Sequence, residues 1–537
     1  MSEIEVRPVL IGRSLSGKTA SDETGVSARD IGSKAAQLRL MSRLGLRVPP
    51  AFVLPTALCG PVNRSDEDAL RQVRDALTMG IRFLEQETGR VFGDPRQPLL
   101  VSVRSGAERS MPGMMDTVLN VGLNEAAVYG LMRLYGDPRL AWDSLRRLQQ
   151  GYGEVVAGIG AGVFEERLAV LVAEEGVAAD ADLDSESLER LALDYRRAMQ
   201  GIGKPLPVDP AEQLERAALA VYRSWEAPKA REYRRLNHFE DLTGTAVTVQ
   251  AMVFGNAGGA SGAGVAFSRD PATGAPGVYA DFLFDAQGED VVSGRRLPGD
   301  LSLLERRLPH VARELVAGIA QLEAAQKDMQ DVEFTVEEGV LYFLQTRAAK
   351  RTPRAALKVA VDLVEAKTLT PAEGRALLAG VDLDKIVLTR FAGEEAPAAT
   401  GIPASPGTVA GRAAFDSETA TRLAGQHEPV ILIRHDIATD DVAGIAAASG
   451  TLTAAGNRTA HAAVVARQLG RACVVGCRAL GFAEKDGRTS VTIGDHTVSS
   501  GDWLSIDGSS GAVYLGRREV VTVRPEAELA IVAGWGA

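Results

Sequence analysis

The spacing of apolar and polar residues changes several times along the chain, which predicts a protein of several domains. Residues 1–123 alternate short apolar runs, such as VPPAFVLP and PLLVSVRSG, with the amphipathic stretch DIGSKAAQLRLMSRLG. A short apolar run is typical of a strand, and a 3.6-residue period is typical of a helix. We therefore predict an α/β (α+β) multidomain fold.

Residues 124–240 keep the helical period throughout. In DPAEQLERAALAVYRSWEAP, apolar residues from Leu214 to Trp225 recur on one face, Asp209 stands where a helix cap is expected, and Pro228 stands where the helix should stop. Alternating runs typical of strands return afterwards. The pattern predicts six segments: 1–123, 124–240, 241–352, a helical connector and linker at 353–399, a compact unit at 400–516, and a tail at 517–537.

Composition narrows the class of function. The 537 residues are 45% hydrophobic and 24% charged, with a formal net charge of −11, which argues against binding nucleic acid by phosphate neutralisation. Three cysteines (Cys59, Cys473 and Cys477) are too few for a disulfide framework and suit a cytoplasmic protein, and Cys473 and Cys477 are interpreted as core residues. We find no signal peptide and no apolar run long enough to span a membrane.

A P-loop pattern near the N-terminus is the first candidate for chemistry. GRSLSGKT, from Gly12 to Thr19, fits G-x-x-x-x-G-K-T, which cradles phosphate when a helix opens at the Lys-Thr pair. The following ASDETGVSARD is polar, contains glycine and has no apolar stripe. We therefore interpret the match as coincidental.

A predicted hairpin offers a second candidate. In QDVEFTVEEGVLYFLQTRAAKR, a period of two puts Asp331 and Glu333 on one face of the first strand, and Gln345 and Arg347 on one face of the second. Two carboxylates suit Mg²⁺, and an arginine suits phosphate. The alternative is a solvated hairpin with cross-strand ion pairs. The glycine-rich stretch FGNAGGASGAGVAFSRDP, interpreted as a loop, favours the phosphate site, because its glycines would let backbone amides approach phosphate.

A histidine at the start of a predicted helix is the third candidate. Thr459 is a good N-cap for a helix over residues 460–469, with Gly470 as its stop, so His461 would lie in the first turn. There the helix dipole disfavours imidazolium and favours an attached anion, which suits a neutral, nucleophilic ring. The alternative is a capping or packed histidine.

Together these stretches resemble the pyruvate phosphate dikinase family, almost continuously from Gly32 to Gly516. The resemblance is carried by VSVRSGAERSMPGMMDTVLNVGLN, GTAVTVQAMVFGN, DAQGEDVVSG, DVEFTVEEGVLYFLQTR, GIPASPG and TAHAAVVARQLG, in the order of the family. It implies an ATP-grasp nucleotide-binding domain, built from two parts around the helical region, and a swivelling β/β/α phosphohistidine domain.

The resemblance also implies the site residues and the reaction. ATP and Mg²⁺ would be bound by Lys34, Arg104, Gln250, the backbone around Met252, Glu289, Asp331, Glu333, Gln345 and Arg347, with Asp331 and Glu333 facing the metal and Gly113 and Arg147 near inorganic phosphate. His461 would attack the β-phosphoryl of ATP and release AMP, with Thr459, Arg104 and Arg347 assisting. Phosphate would then remove the outer phosphoryl as pyrophosphate and leave a phosphohistidine.

Three departures from the family pattern shape what we expect of the acceptor. The histidine loop is Gly456-Asn457-Arg458-Thr459-Ala460-His461, Ala263 replaces a usual threonine, and we expect the family's C-terminal barrel for pyruvate or phosphoenolpyruvate to be missing. We expect a half-enzyme that hands its phosphoryl to pyruvate on a separate subunit or to another small molecule, with a homodimer as one possibility. The alternative is a catalytically inactive nucleotide-sensing or scaffold homologue.

Overall fold

The computed structural model of the chain describes residues 7–12, 25–109, 111, 117–177, 179–292, 298–393, 395–437, 441–456, 461–485 and 488–536. The chain divides into two structural units. The first contains residues 1–261 and 342–346, and the second contains residues 262–341 and 347–537. Both units mix helices and sheets, so the predicted multidomain α/β (α+β) class is confirmed.

The first unit contains an antiparallel sheet in the order β1-β2-β7-β5-β6 and a group of helices. The strands of the first unit are β1 (Val9–Ile11), β2 (Ala51–Leu54), β3 (Val91–Phe92), β4 (Pro98–Leu99), β5 (Val101–Gly106), β6 (Thr117–Val121) and β7 (Ala246–Ala251). Strands β3 and β4 form a separate two-stranded sheet. Its helices are α1 (Ala28–Arg43), α2 (Cys59–Asn63), α3 (Glu67–Thr88), α4 (Glu125–Tyr135), α5 (Pro138–Val155), α6 (Gly162–Glu175), α7 (Ser185–Gly201), α8 (Pro210–Ser224) and α9 (Pro228–Leu236).

The helical stretch predicted for residues 124–240 is confirmed as α4 to α9. Asp209 caps α8 as predicted, since its side chain accepts from the Ala211 N–H at 3.1 Å. Pro228 has a different role from the one expected. Helix α8 already ends at Ser224, and Pro228 is the first residue of α9, where its missing N–H costs nothing.

The second unit holds most of a four-stranded sheet in the order β11-β10-β8-β9, together with an eight-stranded sheet. The first of these sheets consists of β8 (Gly262–Arg269), β9 (Pro276–Phe284), β10 (Gln330–Glu337) and β11 (Val340–Ala348). Helices α10 (Gly288–Val292), α11 (Leu301–Arg307) and α12 (Pro309–Gln326) lie between β9 and β10 in the chain. The predicted hairpin is confirmed as β10 and β11, and it turns at Glu338 and Gly339, which both have positive φ.

Much of the glycine-rich stretch is strand rather than loop, which corrects the sequence interpretation. Gly262 and Gly264 belong to β8, where a Cβ atom would lie 2.2 Å from the ring of Phe282 and 2.5 Å from the ring of Phe334. These glycines permit close packing between strands. Ala263, where the family has threonine, is fully buried in an apolar cluster, so its side chain has a packing role.

The eight-stranded sheet has the order β13-β23-β22-β15-β16-β17-β18-β14. Its strands are β13 (Ala399–Thr400), β14 (Ile402–Ser405), β15 (Thr408–Ala414), β16 (Val430–Arg434), β17 (Gly450–Thr453), β18 (Ala472–Val475), β22 (Trp503–Asp507) and β23 (Ala512–Leu515). A smaller sheet contains β19 (Leu480–Lys485), β20 (Arg488–Ile493) and β21 (His496–Val498). Alternate residues of β16 enter two apolar clusters, so both faces of the large sheet are covered.

Three helices connect successive strands of the large sheet: α15 (Ser417–Gly425), α16 (Val442–Ala447) and α17 (His461–Gln468). Helix α17 connects the parallel strands β17 and β18 and buries Ala462, Ala463 and Ala466. Gly470, with φ of 63°, follows its end as predicted.

The predicted connector and tail pack together. The connector contains α13 (Pro353–Glu365), α14 (Pro371–Leu377) and β12 (Leu388–Phe391), and the tail contains β24 (Val520–Val523) and α18 (Glu526–Ala533). Strand β12 pairs with β24, and Trp535 joins an apolar cluster with residues of α13. None of the described helices is both long and apolar enough to cross a membrane.

Candidate active site

Four of the predicted nucleotide-binding residues meet in the first unit. Lys34, Arg104, Gln250 and Gln345 line one small cavity together with Leu38, Thr248 and Leu344. Strands β5 and β7 place two of them on one face, because Ser102 pairs with Gln250 and Arg104 pairs with Thr248. The Arg104 Nη1 donates to the Gln250 Oε1 at 3.5 Å. The sheet register therefore fixes a cation beside an amide.

Gly32 fixes the position of Lys34 relative to this sheet. Gly32 has φ of 78°, and a Cβ atom there would lie 2.2 Å from the carbonyl oxygen of Gly106 at the end of β5. The next residue, Ser33, donates its N–H to the Ala107 carbonyl at 2.9 Å. Only glycine combines this backbone conformation with so close an approach. Helix α1 is thereby held against the strand that carries Arg104.

The backbone segment around Met252, which was predicted to bind ATP, continues β7. The N–H of Met252 donates to the Leu100 carbonyl at 2.9 Å, and the N–H of Ala251 donates to the Pro50 carbonyl at 2.9 Å. Both amides are therefore already used by the protein. A purine at this edge would have to find other backbone groups of the segment.

Asp331, Glu333 and Arg347 meet in the second unit. Asp331 is 5% exposed, and its Oδ2 accepts from the Arg347 Nε at 2.8 Å. Burial raises the pKa of Asp331, the charge of Arg347 opposes that rise, and Glu333 adds to it. The cross-strand ion pair of the alternative interpretation is therefore present, but its carboxylate is buried and not solvated.

The second oxygen of Asp331 suits a cation. Among the described residues, Asp331 Oδ1 is buried and has no hydrogen-bond partner. A buried carboxylate oxygen without a partner is costly, and a bound cation would satisfy it. In the described part of the chain, no group of three or more His, Cys, Asp or Glu residues forms a metal cluster. Two carboxylates match Mg²⁺, which takes its other ligands from phosphates and water.

Arg147, predicted to lie near inorganic phosphate, belongs to a buried ion cluster on α5. Its Nε donates to Asp143 Oδ2 at 2.8 Å, while the Arg146 Nε donates to Asp143 Oδ1 at 2.9 Å. Burial would raise the pKa of Asp143, but the charges of Arg146 and Arg147 outweigh it and hold the pKa well below its usual value. This pairing gives Arg147 a structural partner.

The remaining predicted residues are described only in part or not at all. His461 is the first residue of α17 and Glu289 lies on α10, but their side chains lie outside the described residues. Gly113 and Thr459 also lie outside them. So does the P-loop pattern after Gly12, and the next described helix begins at Ala28.

Arg467 is a residue that sequence reasoning missed. It lies on α17 after His461, is 4% exposed, and donates from Nη1 to the Ala404 carbonyl at 2.7 Å. Burial lowers the pKa of Arg467, and nearby acidic groups, Asp281 and Asp331 among them, oppose that change. The helix that begins with His461 therefore carries a charge within electrostatic reach of Asp331. In sequence, Arg467 resembles an ordinary helix-end arginine.

Two models of known protein families match parts of this chain. The family model described as "Pyruvate phosphate dikinase, AMP/ATP-binding domain" matches residues 69–317, and "PEP-utilising enzyme, mobile domain" matches residues 426–511. Pyruvate, phosphate dikinase 2 of Zea mays is 42% identical over 97% of this chain and 59% of its own length. Pyruvate, phosphate dikinase of Clostridium symbiosum is 42% identical over 92% of this chain and 57% of its own length. The chain thus spans little more than half the length of these relatives.

Proposed function

Taking as premise that the chain is a pyruvate phosphate dikinase-like protein, we propose that it phosphorylates its own His461 from the β-phosphoryl of ATP. The single observation that best supports this proposal is the buried Asp331, with one oxygen on Arg347 and the other without a partner among the described residues. A bound cation would compensate the second oxygen, which the protein leaves without a partner among the described residues.

The proposed reaction consists of two displacements. A ring nitrogen of His461 attacks the β-phosphorus, the bond from this phosphorus to the oxygen of AMP breaks, and AMP leaves with the bonding electrons. Inorganic phosphate then attacks the outer phosphorus and leaves as pyrophosphate, so that one phosphoryl stays on His461. The N-terminal end of α17 favours the added negative charge, because its backbone N–H groups point toward that end.

We assign the predicted residues to these steps by their chemistry. Lys34, Arg104 and Arg347 would bind phosphate oxygens, and Gln250 and Gln345 would hydrogen-bond the nucleotide. Asp331 and Glu333 would hold Mg²⁺, which when bound neutralises phosphate charge. The ATP-grasp assignment and the roles of Glu289, Gly113, Arg147, Met252 and Thr459 stay predictions from the resemblance.

The phosphoryl acceptor is part of the proposal as well. We propose that phospho-His461 donates either to pyruvate held by a separate subunit or to another small molecule. The homodimer stays a prediction. The three described cysteines are free and buried, which supports the predicted cytoplasmic location.

The test is to incubate the protein with Mg²⁺ and ATP labelled at the β-phosphorus. We expect acid-labile label on the wild type and on His496→Ala, a control at an exposed histidine of β21, and none on His461→Ala. Added pyruvate should discharge the label only if the chain itself binds the acceptor. ATP binding without label on the wild type would contradict the proposal and favour a nucleotide-sensing homologue.

A further inference from the structure

A cavity of 1410 Å³ opens in the helical region of the first unit, between α5, α7, α8 and the loop at residues 203–208. Small-molecule sites commonly have volumes of about 300–1,000 Å³, so this cavity has ample room for an organic ligand. None of the residues proposed above to bind ATP is among those that line it in the described part of the chain. The cavity is therefore a separate feature that the dikinase chemistry does not explain.

Two buried polar side chains lie at its floor. Gln149 and Tyr152 lie three residues apart on α5, where such residues share a face, and they are 3% and 1% exposed. Within the described residues, the Gln149 Oε1 has no hydrogen-bond partner, and the Tyr152 hydroxyl has the side chain of Arg216 near it. A buried polar atom without a partner is costly, and native proteins rarely leave one. The floor thus presents one acceptor and one hydroxyl to whatever enters.

The walls above this floor are apolar. Leu145 is fully buried, and Val155, Leu206, Leu219 and Ala220 are half-buried around the opening. Half-buried apolar side chains facing a cavity gain free energy when a ligand removes them from water, at about 25 cal/mol per Å². They suit the body of an organic molecule better than an inorganic ion.

Positive charge surrounds the opening. Four cationic side chains line it: Arg196, Lys204, Arg216 and Arg223. Two of them form ion pairs with exposed carboxylates, Arg196 with Glu125 and Arg216 with Glu212. Exposed ion pairs contribute little to stability, so a ligand anion can replace the carboxylate at low cost. In a chain of net charge −11, this concentration of cations is local.

Arg216 connects the charged rim to the floor. Burial raises the pKa of Tyr152 to about 12, and the charge of Arg216 acts against that rise. The guanidinium is therefore close to the phenol, and the phenol stays protonated near neutral pH as a donor. An anion at Arg216 would also be within reach of the tyrosine hydroxyl.

We infer that this cavity binds a small amphipathic anion, with a ring-sized apolar body and one carboxylate, phosphate or sulfonate group. The anion contacts Arg216 and Arg196, the body lies between Leu206 and Leu219, and a polar group pairs with Gln149 and Tyr152. The inference does not depend on the dikinase chemistry, and its test uses no phosphoryl transfer.

The wall helix also connects the cavity to the sheet. Gln213 of α8 accepts from the Gly122 N–H at 2.9 Å and donates to the Leu123 carbonyl at 3.1 Å, directly after β6. A ligand that packs against α8 should therefore stabilise the whole first unit. We expect its binding to raise the unfolding temperature of the protein.

The test compares two fluorescent probes with the same apolar body, anilinonaphthalene sulfonate and the neutral phenylnaphthylamine. With wild-type protein at saturating non-hydrolysable ATP analogue, we expect one sulfonate probe per chain, bound at least tenfold more tightly than the neutral probe. Arg216→Met and Arg196→Met should each weaken the sulfonate probe several-fold and leave the neutral probe unchanged. Arg190→Met, an exposed arginine of α7 paired with Glu174 and Glu175, is the matched control.

A second variant tests the position of the probe. Ala220→Trp fills the cavity from its wall and should abolish binding of both probes, with circular dichroism confirming the fold. Equal affinity for the two probes, indifference to both rim variants, displacement by the ATP analogue, or no saturable binding would each overturn the inference. The rim variants keep it falsifiable if Ala220→Trp does not fold, because exposed ion pairs contribute little to stability.

Discussion

Two buried aspartates of this protein each bind an arginine that was predicted to hold phosphate, yet they are in opposite electrostatic states. Asp143 has both oxygens bonded, one to Arg146 and one to Arg147, and its pKa is held well below its usual value. Asp331 has one oxygen on Arg347 and one without a partner among the described residues, and its pKa is raised. Both oxygens of Asp143 are bonded within the protein, whereas Asp331 Oδ1 can still bind a cation.

This difference separates a structural ion cluster from a candidate active site. Burial is nearly the same for the two carboxylates, at 4% and 5% exposure, so burial alone does not distinguish them. What distinguishes them is whether the charge is compensated by the protein itself. Arg347 is half exposed and can turn to a phosphate, while Arg147 is largely enclosed.

The largest expected effect is a loss of stability when the ion cluster of Asp143, Arg146 and Arg147 is broken. Asp143→Asn would leave Arg146 and Arg147 without their shared anion in a buried place, which should cost about 3–5 kcal/mol of unfolding free energy. Urea denaturation measures this change. Asp331→Asn is the matched control and should change stability by less than about 1 kcal/mol. Equal losses in the two variants would remove the distinction.

The second largest expected effect is a loss of His461 phosphorylation when Asp331 is changed. Asp331→Asn should reduce phosphorylation of His461 by at least about 100-fold, or ~2.7 kcal/mol of barrier, because one metal-binding oxygen is lost. The initial rate of β-label incorporation measures it at fixed Mg²⁺ and ATP. Glu338→Gln, at the turn of the same hairpin, is the control and should label normally. Normal labelling of Asp331→Asn would remove this residue from the proposed site.

Sequence patterns could predict the hairpin, the cap of α8 and the helix after His461, because each depends on residues close together in the chain. The Asp143 cluster was also within reach. Asp143 and Arg147 are four residues apart on a predicted helix, the spacing at which opposite charges pair. The family resemblance implies that Arg147 lies near inorganic phosphate, so the pairing of Arg147 with Asp143 was not predicted.

Other features depend on contacts between distant parts of the chain, and no local pattern reveals them. The packing of Gly264 against Phe334 requires β8 and β10 to be neighbours, as does the burial of Ala263. The pairing of the tail strand β24 with β12 is of the same kind. Whether Asp331 Oδ1 has a hydrogen-bond partner depends on how the strands and their neighbours pack. The position of Asp331 on the face of its strand, by contrast, was predictable from the sequence.

The third prediction concerns metal binding without nucleotide. Arg347 competes with a cation for Asp331, so Arg347→Met should tighten Mn²⁺ binding by about three- to tenfold, the size of a partly screened charge interaction. Electron paramagnetic resonance of free Mn²⁺ measures the affinity directly. Arg147→Met should have no effect, because Asp143 is not expected to bind metal. Weaker Mn²⁺ binding in Arg347→Met would mean that the arginine supports the metal site.

The smallest effect, and the most specific, is the pH dependence of stability. The folded-state pKa of Asp143 is lowered, so its stabilisation is present above the unfolded-state pKa, near the usual 3.8, and is lost as pH falls below it. The folded-state pKa of Asp331 is raised, so its contribution is present below 3.8 and is lost as pH rises through the folded-state value.

The two asparagine variants should therefore depend on pH in different ranges in urea denaturation, Asp143→Asn below about pH 4 and Asp331→Asn above it, with each titrating carboxylate limited to ~1.4 kcal/mol per pH unit. The stability deficit of Asp143→Asn should shrink as the pH is lowered. The stability of Asp331→Asn relative to wild type should improve as the pH is raised. Parallel trends would show that the second oxygen of Asp331 is compensated in solution, and that the two aspartates do not differ as their geometry indicates.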